Sequence, residues 1–340
     1  MATVWFCLAA FLIAGYVVLD GFDLGAGIVQ LFVARTEPER DQVLESIGPV
    51  WDGNEVWLLA AGGTLFLAFP ALYASAFSGF YLALMIALWL LILRGIAIEF
   101  SHRTAGPLWR VLWPTVFGWA SALLALVFGL ALGNVVRGVP LDASGYFFLP
   151  LWTDLRPVAE AGIIDWYTLL VGVAAFLALA VHGSLWVVVK TEGDLQERTR
   201  AFGAKCWAAV VVATLLLSPV SFGIQPHLLE QFRSHPWGVV FPALAIAGMI
   251  GARWLSARRR DLPAFLASSL YLAGMLGSAA FGVFPAVLPS NTSPDLSLTI
   301  YNAAAGDHGL VGGLWWFIPG MLLAMGYAAV AYRHFAGKVG

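Results

Sequence analysis

Charge is what this sequence has least of. Of its 340 residues 11% are charged and 60% are hydrophobic, and the mean hydropathy is +0.83. A soluble domain carries about 25% charged residues, so the balance excludes an ordinary water-soluble fold and leaves a polytopic membrane protein. The net charge of −2 offers nothing to a phosphate backbone, and nucleic acid is not an expected partner. Cysteine is scarce as well. Cys7 and Cys206 sit in separate apolar runs, which excludes a disulfide framework or a cysteine metal site. The six histidines are His102, His182, His227, His235, His308 and His334, and only His182 falls inside an apolar run. No C-x-x-C-H, no ligand-spaced histidine cluster and no nucleotide-binding glycine loop is present. His182 reads as a hydrogen-bonded interhelical histidine, with a haem ligand as the alternative; no redox centre is evident, and no catalytic residue, haem ligand or metal ligand is expected on this chain. A basic start and a polar cleavage region are also missing, so the first apolar run reads as a retained helix.

What is present is apolar sequence in lengths that span a bilayer. A span needs about 20 such residues. Nine candidates run approximately 3–34, 50–70, 75–98, 112–135, 163–189, 203–222, 236–254, 263–285 and 311–332. Fifteen tryptophans suit the membrane–water interface. Loop charge gives the orientation. Fourteen of the 18 Lys and Arg residues fall in the loops and tail of one side, three on the other, and Arg94 inside the third span. By the positive-inside rule the N-terminus lies outside and the C-terminus in the cytoplasm. The expected fold is all-α: one integral membrane domain, residues 1–340, in contact with membrane lipids.

Against this background two acids stand out in "VVLDGFDLGAGIV". Asp20 lies near the middle of the first span and Asp23 one turn nearer the cytoplasm. Each costs roughly 2.5–3.5 kcal/mol at mid-span. Their i, i+3 spacing places them on one helix face, and Gly21, Gly25 and Gly27 around them admit a close neighbour. They either accept hydrogen bonds from partner helices or carry protons or ions. The second span opens "GPVWDGNEVW", with Asp52, Asn54 and Glu55 packed between Trp51 and Trp57. Acids at a helix start also serve the helix dipole, so Asp52 reads equally as a cap. In the third span Arg94 lies within the apolar segment and Glu99 follows at its cytoplasmic edge. Asp23, Asp52 and Glu55 are the expected partners of Arg94. Five acids for one arginine favour a titratable chain over simple ion pairing.

The blocks "LDGFDLGAG", "GPVWDGNEVWLLAAGG", "FPALYASAFSGFYLAL", "RGIAIEFSHR", "FGLALGNVVRGVP", "KTEGDLQERTR" and "FGVFPAVLPS…SLTIYNAAAG" resemble, in this order, those of subunit II of cytochrome bd-type quinol oxidases. The resemblance implies nine helices in two four-helix bundles plus one peripheral helix, paired with a similarly folded subunit I. It implies a complex that oxidises quinol and reduces O2 to water, with haem b and haem d held by the partner. This chain would support assembly and haem retention and contribute a cytoplasmic proton path. In some members the family also holds a structural quinone or small accessory subunits, which no residue here identifies. On this reading Asp20, Asp23, Asp52, Glu55 and Glu99 are the proton path, with Arg94, Trp51, Asn54 and Trp57 supporting it. "FGLALGNVV" places Asn134 where an amide bridges helices, and "FPAVLPSNTSPDLSLTIYNAAAG" reads as a rigid outer loop.

One alternative belongs to another class, a secondary transporter coupling ions to intramembrane carboxylates. Such folds show broken helices in paired halves, yet spans five to eight contain no mid-span acid. Copurification separates the two, because an oxidase subunit brings a haem-bearing partner.

Overall fold

The computed structural model describes residues 1–339 except His102, Thr104, Ala105 and Ala159. Among the described residues the chain forms twelve α-helices: α1 Ala2–Phe32, α2 Glu37–Ile47, α3 Trp51–Ala68, α4 Pro70–Gly79, α5 Tyr81–Phe100, α6 Pro107–Arg137, α7 Trp166–Lys190, α8 Gly193–Ile224, α9 Pro226–Ser234, α10 Val240–Ala257, α11 Asp261–Val283 and α12 Asp307–His334. The single two-stranded sheet pairs β1, Ala286–Leu288, with β2, Leu298–Thr299, antiparallel. It closes the proline-broken loop between α11 and α12.

Apolar helices dominate because a backbone in lipid must satisfy its own N–H and C=O groups. Eight of the helices (α1, α5, α6, α7, α8, the α10 segment, α11 and α12) are long and apolar enough to cross a membrane. The expected second span, α3, is not among them. It has 18 residues, and its polar opening of Asp52, Asn54 and Glu55 dilutes its apolarity. Nine apolar spans are thus not what length and composition of the helices establish. The expected third segment also divides. Phe69 leaves the helical region ahead of Pro70, whose ring disfavours a helical residue before it, and a second break at Phe80 separates α4 from α5. The connection at 35–49, read as a loop, holds the helix α2. Its polar face hid it from a hydropathy reading, but it buries Val43, Leu44 and Ile47.

α1 is the hub. It packs on α3 and α6, and α6 on α5, to form one bundle; α7, α8, α10 and α11 form the second. α1 also meets α7 and α11, joining the two, while α12 rests on α3. The α1–α7 crossing needs glycine on both sides. A Cβ on Gly25 would come within 2.1 Å of the Leu179 carbonyl oxygen, and one on Gly183 within 2.2 Å of the Gly25 carbonyl carbon. That backbone-to-backbone contact brings the middle of α1 deep into the protein. From Asp20 to Gln30 every residue is buried.

Candidate functional site

The buried stretch of α1 carries both acids, and each is fully buried. Positions 20 and 23 are about 60° apart around a helix of 3.6 residues per turn. That offset directs the two carboxyls to different neighbours. Asp20 meets α5. Arg94 grips it with both terminal nitrogens: Nη1 donates to Oδ2 at 2.7 Å and Nη2 to Oδ1, with both side chains at 0% exposure. The partner of Arg94 is therefore Asp20, not Asp23, Asp52 or Glu55. Sequence depth alone did not resolve the helix faces. Arg94 Nε has no hydrogen-bond partner. The Tyr16 hydroxyl, one turn back along α1, approaches Asp20 without completing a hydrogen bond of ordinary geometry.

Asp23 meets α3. Its Oδ2 accepts from Asn54 Nδ2 at 2.8 Å, and its Oδ1 has no partner. Asn54 Oδ1 in turn accepts from the Tyr332 hydroxyl of α12 at 2.7 Å. One carboxyl is thus matched by a cation and the other only by a neutral amide. Asp20 has both oxygens filled by Arg94, whereas Asp23 has a free oxygen able to take a proton.

The remaining acids lie at graded exposure. Glu55 is half-buried, one residue beyond Asn54, and faces the charges of Arg94, Asp20 and Asp52. Asp52 is exposed on the chain. Glu99 is not brought to this group. It is exposed and accepts from Arg103 Nη2 at 2.8 Å. The two tryptophans pack between helices: Trp51 lies against Gly95 of α5, and Trp57 covers Gly15 of α1 and meets Phe11 edge-on.

Two of these features had no strong sequence signal. Tyr332 lies near the end of the last apolar run, where an aromatic reads as an interface residue; only the fold turns it inward. His182 joins three helices. Its Nε2 lies 2.9 Å from the Val18 carbonyl, which can only accept, so that nitrogen carries the hydrogen and Nδ1 faces the Ser268 hydroxyl at 2.7 Å. Both ring nitrogens are engaged, so His182 does not fit a haem ligand. His227 Nε2 meets the Phe284 carbonyl at 3.1 Å, and His102 lies outside the described residues. Among the described residues no group of three or more His, Cys, Asp or Glu could hold a metal.

A second buried ion pair lies at the C-terminal end of α6. Arg137 pairs with Asp165, the N-cap of α7, which also accepts from the amides of Tyr167 and Thr168. Asn134 supports it from within, accepting from Arg137 Nη2 at 2.7 Å and donating to the carbonyls of Leu130 and Ile163. The amide pins a loop to its own helix rather than bridging two helices.

Comparison with known proteins places these features in a family. The model for cytochrome bd terminal oxidase subunit II matches residues 1–335. The chain is 31% identical over 372 residues to the cytochrome bd-I ubiquinol oxidase subunit 2 of Escherichia coli K12, covering 99% of this chain and 94% of that protein. It is 33% identical over 307 residues to the cytochrome bd ubiquinol oxidase subunit 2 of Bacillus subtilis, covering 90% and 87%. The fold is similar to that of a chain in the bd oxidase structure from Geobacillus thermodenitrificans, with a TM-score of 0.75, 18% identity and 98% coverage of both chains.

Proposed function

Because this chain belongs to the subunit II family of cytochrome bd terminal oxidases, we propose that it holds the haem-bearing subunit I in its assembled form and supplies the complex with a proton path from the cytoplasm. As a subunit of a quinol oxidase it is part of an oxidoreductase and a multi-pass protein of the inner membrane. Haem b and haem d belong to the partner. The engaged nitrogens of His182 agree with that division, and no step is routed through a haem on this chain. Its own residues bind, orient and pass protons. The apolar outer faces of α8 and α12 fit burial against lipid or the partner.

In the proposed path, protons enter at the rim marked by Asp52, pass Glu55 and reach Asp23, with Asp20 held beside it by Arg94; Glu99, exposed and bonded to Arg103, lies outside it. Trp51, Asn54 and Trp57 pack the route. One observation carries the reading: Asp23 is fully buried, forms no ion pair among the described residues, and keeps one carboxyl oxygen free. Such a group serves as a proton relay better than as a structural charge. The orientation, with the N-terminus outside, follows from the loop charges and gives the path its cytoplasmic entrance.

The test is turnover of the complex purified through a tag on this chain. Haem b and d absorption bands should copurify, which a free-standing transporter would not show. The double variant Asp20→Asn/Asp23→Asn should lose quinol-driven oxygen consumption per haem. Full turnover in that variant sinks the path.

A further inference from the structure

The peripheral helix α12 has no role in the path as drawn, yet it reaches the path's deepest proton carrier. Along its length only Leu310 is buried. Its first half is anchored there, where the Leu310 carbonyl accepts from Trp5 Nε1 at 3.0 Å and Phe317 meets the Trp5 ring, and a second set of contacts lies at its C-terminal end. There the tail is clasped to the end of α7. Lys190 Nζ donates to the carbonyls of Phe335 at 2.6 Å and Gly337 at 3.2 Å. Lys338 Nζ donates back to Val188 at 3.1 Å and Thr191 at 2.8 Å, and the Val339 amide donates to the Lys190 carbonyl. The Tyr332 ring sits edge-on to Trp186 at 6.1 Å and Phe22 at 6.4 Å. These contacts leave its hydroxyl against Asn54 Oδ1.

We infer that Tyr332 is a positioning residue for proton transfer at Asp23, acting through the Asn54 amide; this rests on the proton-path reading above. An amide is a donor at one end and an acceptor at the other. By donating to Oδ1, Tyr332 turns the Asn54 NH2 towards Asp23. In that orientation Asn54 supports the ionised carboxylate, which accepts. The reversed amide would present Oδ1 to Asp23 and support its protonated form. It would also leave the Tyr332 hydroxyl hydrogen without its acceptor. Tyr332 therefore biases Asp23 towards releasing its proton, and the tail clasp keeps Tyr332 in place. The other groups around Asp23 are Asp20 on α1, Glu55 on α3 and Arg94 on α5. His182 of α7 is turned to Val18 and Ser268 instead.

Tyr332→Phe keeps the ring packing and removes the hydroxyl. In the purified complex it should leave the haem content unchanged. The pH of half-maximal turnover should move up by about one unit, a tenfold change in the proton equilibrium. A parallel infrared titration reads the carboxyl band that disappears in Asp23→Asn, and this band should titrate at correspondingly higher pH in Tyr332→Phe whether or not turnover survives. Unchanged titration of that band overturns the inference. So does an unshifted pH profile in Tyr332→Phe alongside slowed turnover in Asp23→Asn, and in that case the path itself stands. Wild-type turnover in Asp23→Asn removes the path and this inference with it.

Discussion

Among the described residues the protein buries two arginine–carboxylate pairs, and they are built to opposite specifications. Arg137 is closed on every side. Nε and Nη1 reach the carbonyls of Gly138 and Gly162, Nη1 also takes Asp165, and Nη2 takes Asn134. Asp165 is filled by two backbone amides besides. Arg94 takes Asp20 alone and leaves Nε unpartnered, with the half-satisfied Asp23 one turn away. Buried polar networks with all positions filled rigidify, while a partly filled one has capacity left for a proton or a water. The difference teaches which buried charge to read as framework and which as site. The Arg137 pair clasps the loop between α6 and α7; the Arg94 pair sits beside Asp23, whose Oδ1 is unfilled.

Four measurements break or sharpen that contrast. The largest effect is expected from Arg94→Ala, which leaves Asp20 buried and uncompensated at a cost of about 3–5 kcal/mol. Haem-loaded complex recovered through this chain should fall sharply, and Arg94→Lys should recover much of it. Equal yields of the two variants would mean that Arg94 does not neutralise a buried charge and simply reaches the surface.

Asp165→Asn comes next. It keeps a capping oxygen but withdraws charge from Arg137, so roughly 2–3 kcal/mol of stability should go. Turnover per haem should stay at the wild-type level, read as the melting temperature and the oxygen consumption of one sample. A turnover defect there would mean that the closed pair is also a site.

Asp23→Asn should do the reverse. The amide keeps size and hydrogen bonding but cannot carry a proton. Oxygen consumption should drop about tenfold, equivalent to roughly 1.4 kcal/mol of barrier, with haem bands and melting intact. Loss of haem without a separate turnover defect would mark the acid as structural.

The smallest effect lies outside the spans, at Glu39 of α2. Burial works against its ionisation, but the amide of Arg35, the guanidinium of Arg198 and the amide of Thr36 together hold its carboxyl below the usual range. A carboxylate lowered in the folded state stabilises it above the unfolded value, near 4.3. That contribution is lost as the pH falls through the lowered folded value. Glu39→Gln should cost under about 1 kcal/mol at neutral pH, and the difference from wild type should vanish in acid. A constant difference across the pH range would show that packing, not charge, is what Glu39 contributes.

Much of this protein could be read from the order of its residues. Long apolar runs become helices wherever lipid is the solvent, because each helix satisfies its own backbone. The segments around α1, α5 to α8 and α10 to α12 are legible for that reason. The acids in "LDGFDLG" and "VWDGNEVW" and the arginine in "LRGIAIE" are legible because polarity inside such runs is costly. The family resemblance stood on those same blocks. The helix α2 was not legible, since an amphipathic surface helix shows no hydropathy peak, and the shortness of α3 followed from the polar residues that made it conspicuous.

Tertiary structure alone decided who meets whom. Spacing put Asp20 and Asp23 on one face, but the 60° between them only acquired meaning when α5 arrived on one side and α3 on the other. The reach of α12 back to Asn54, 278 positions away in the chain, has no local trace at all. Helix formation is a matter of local hydrogen bonds and solvent, which neighbouring residues encode. Pairing inside a bundle depends on rotation and depth of helices brought together by contacts such as Gly25 on Gly183, and those depend on the whole packed assembly.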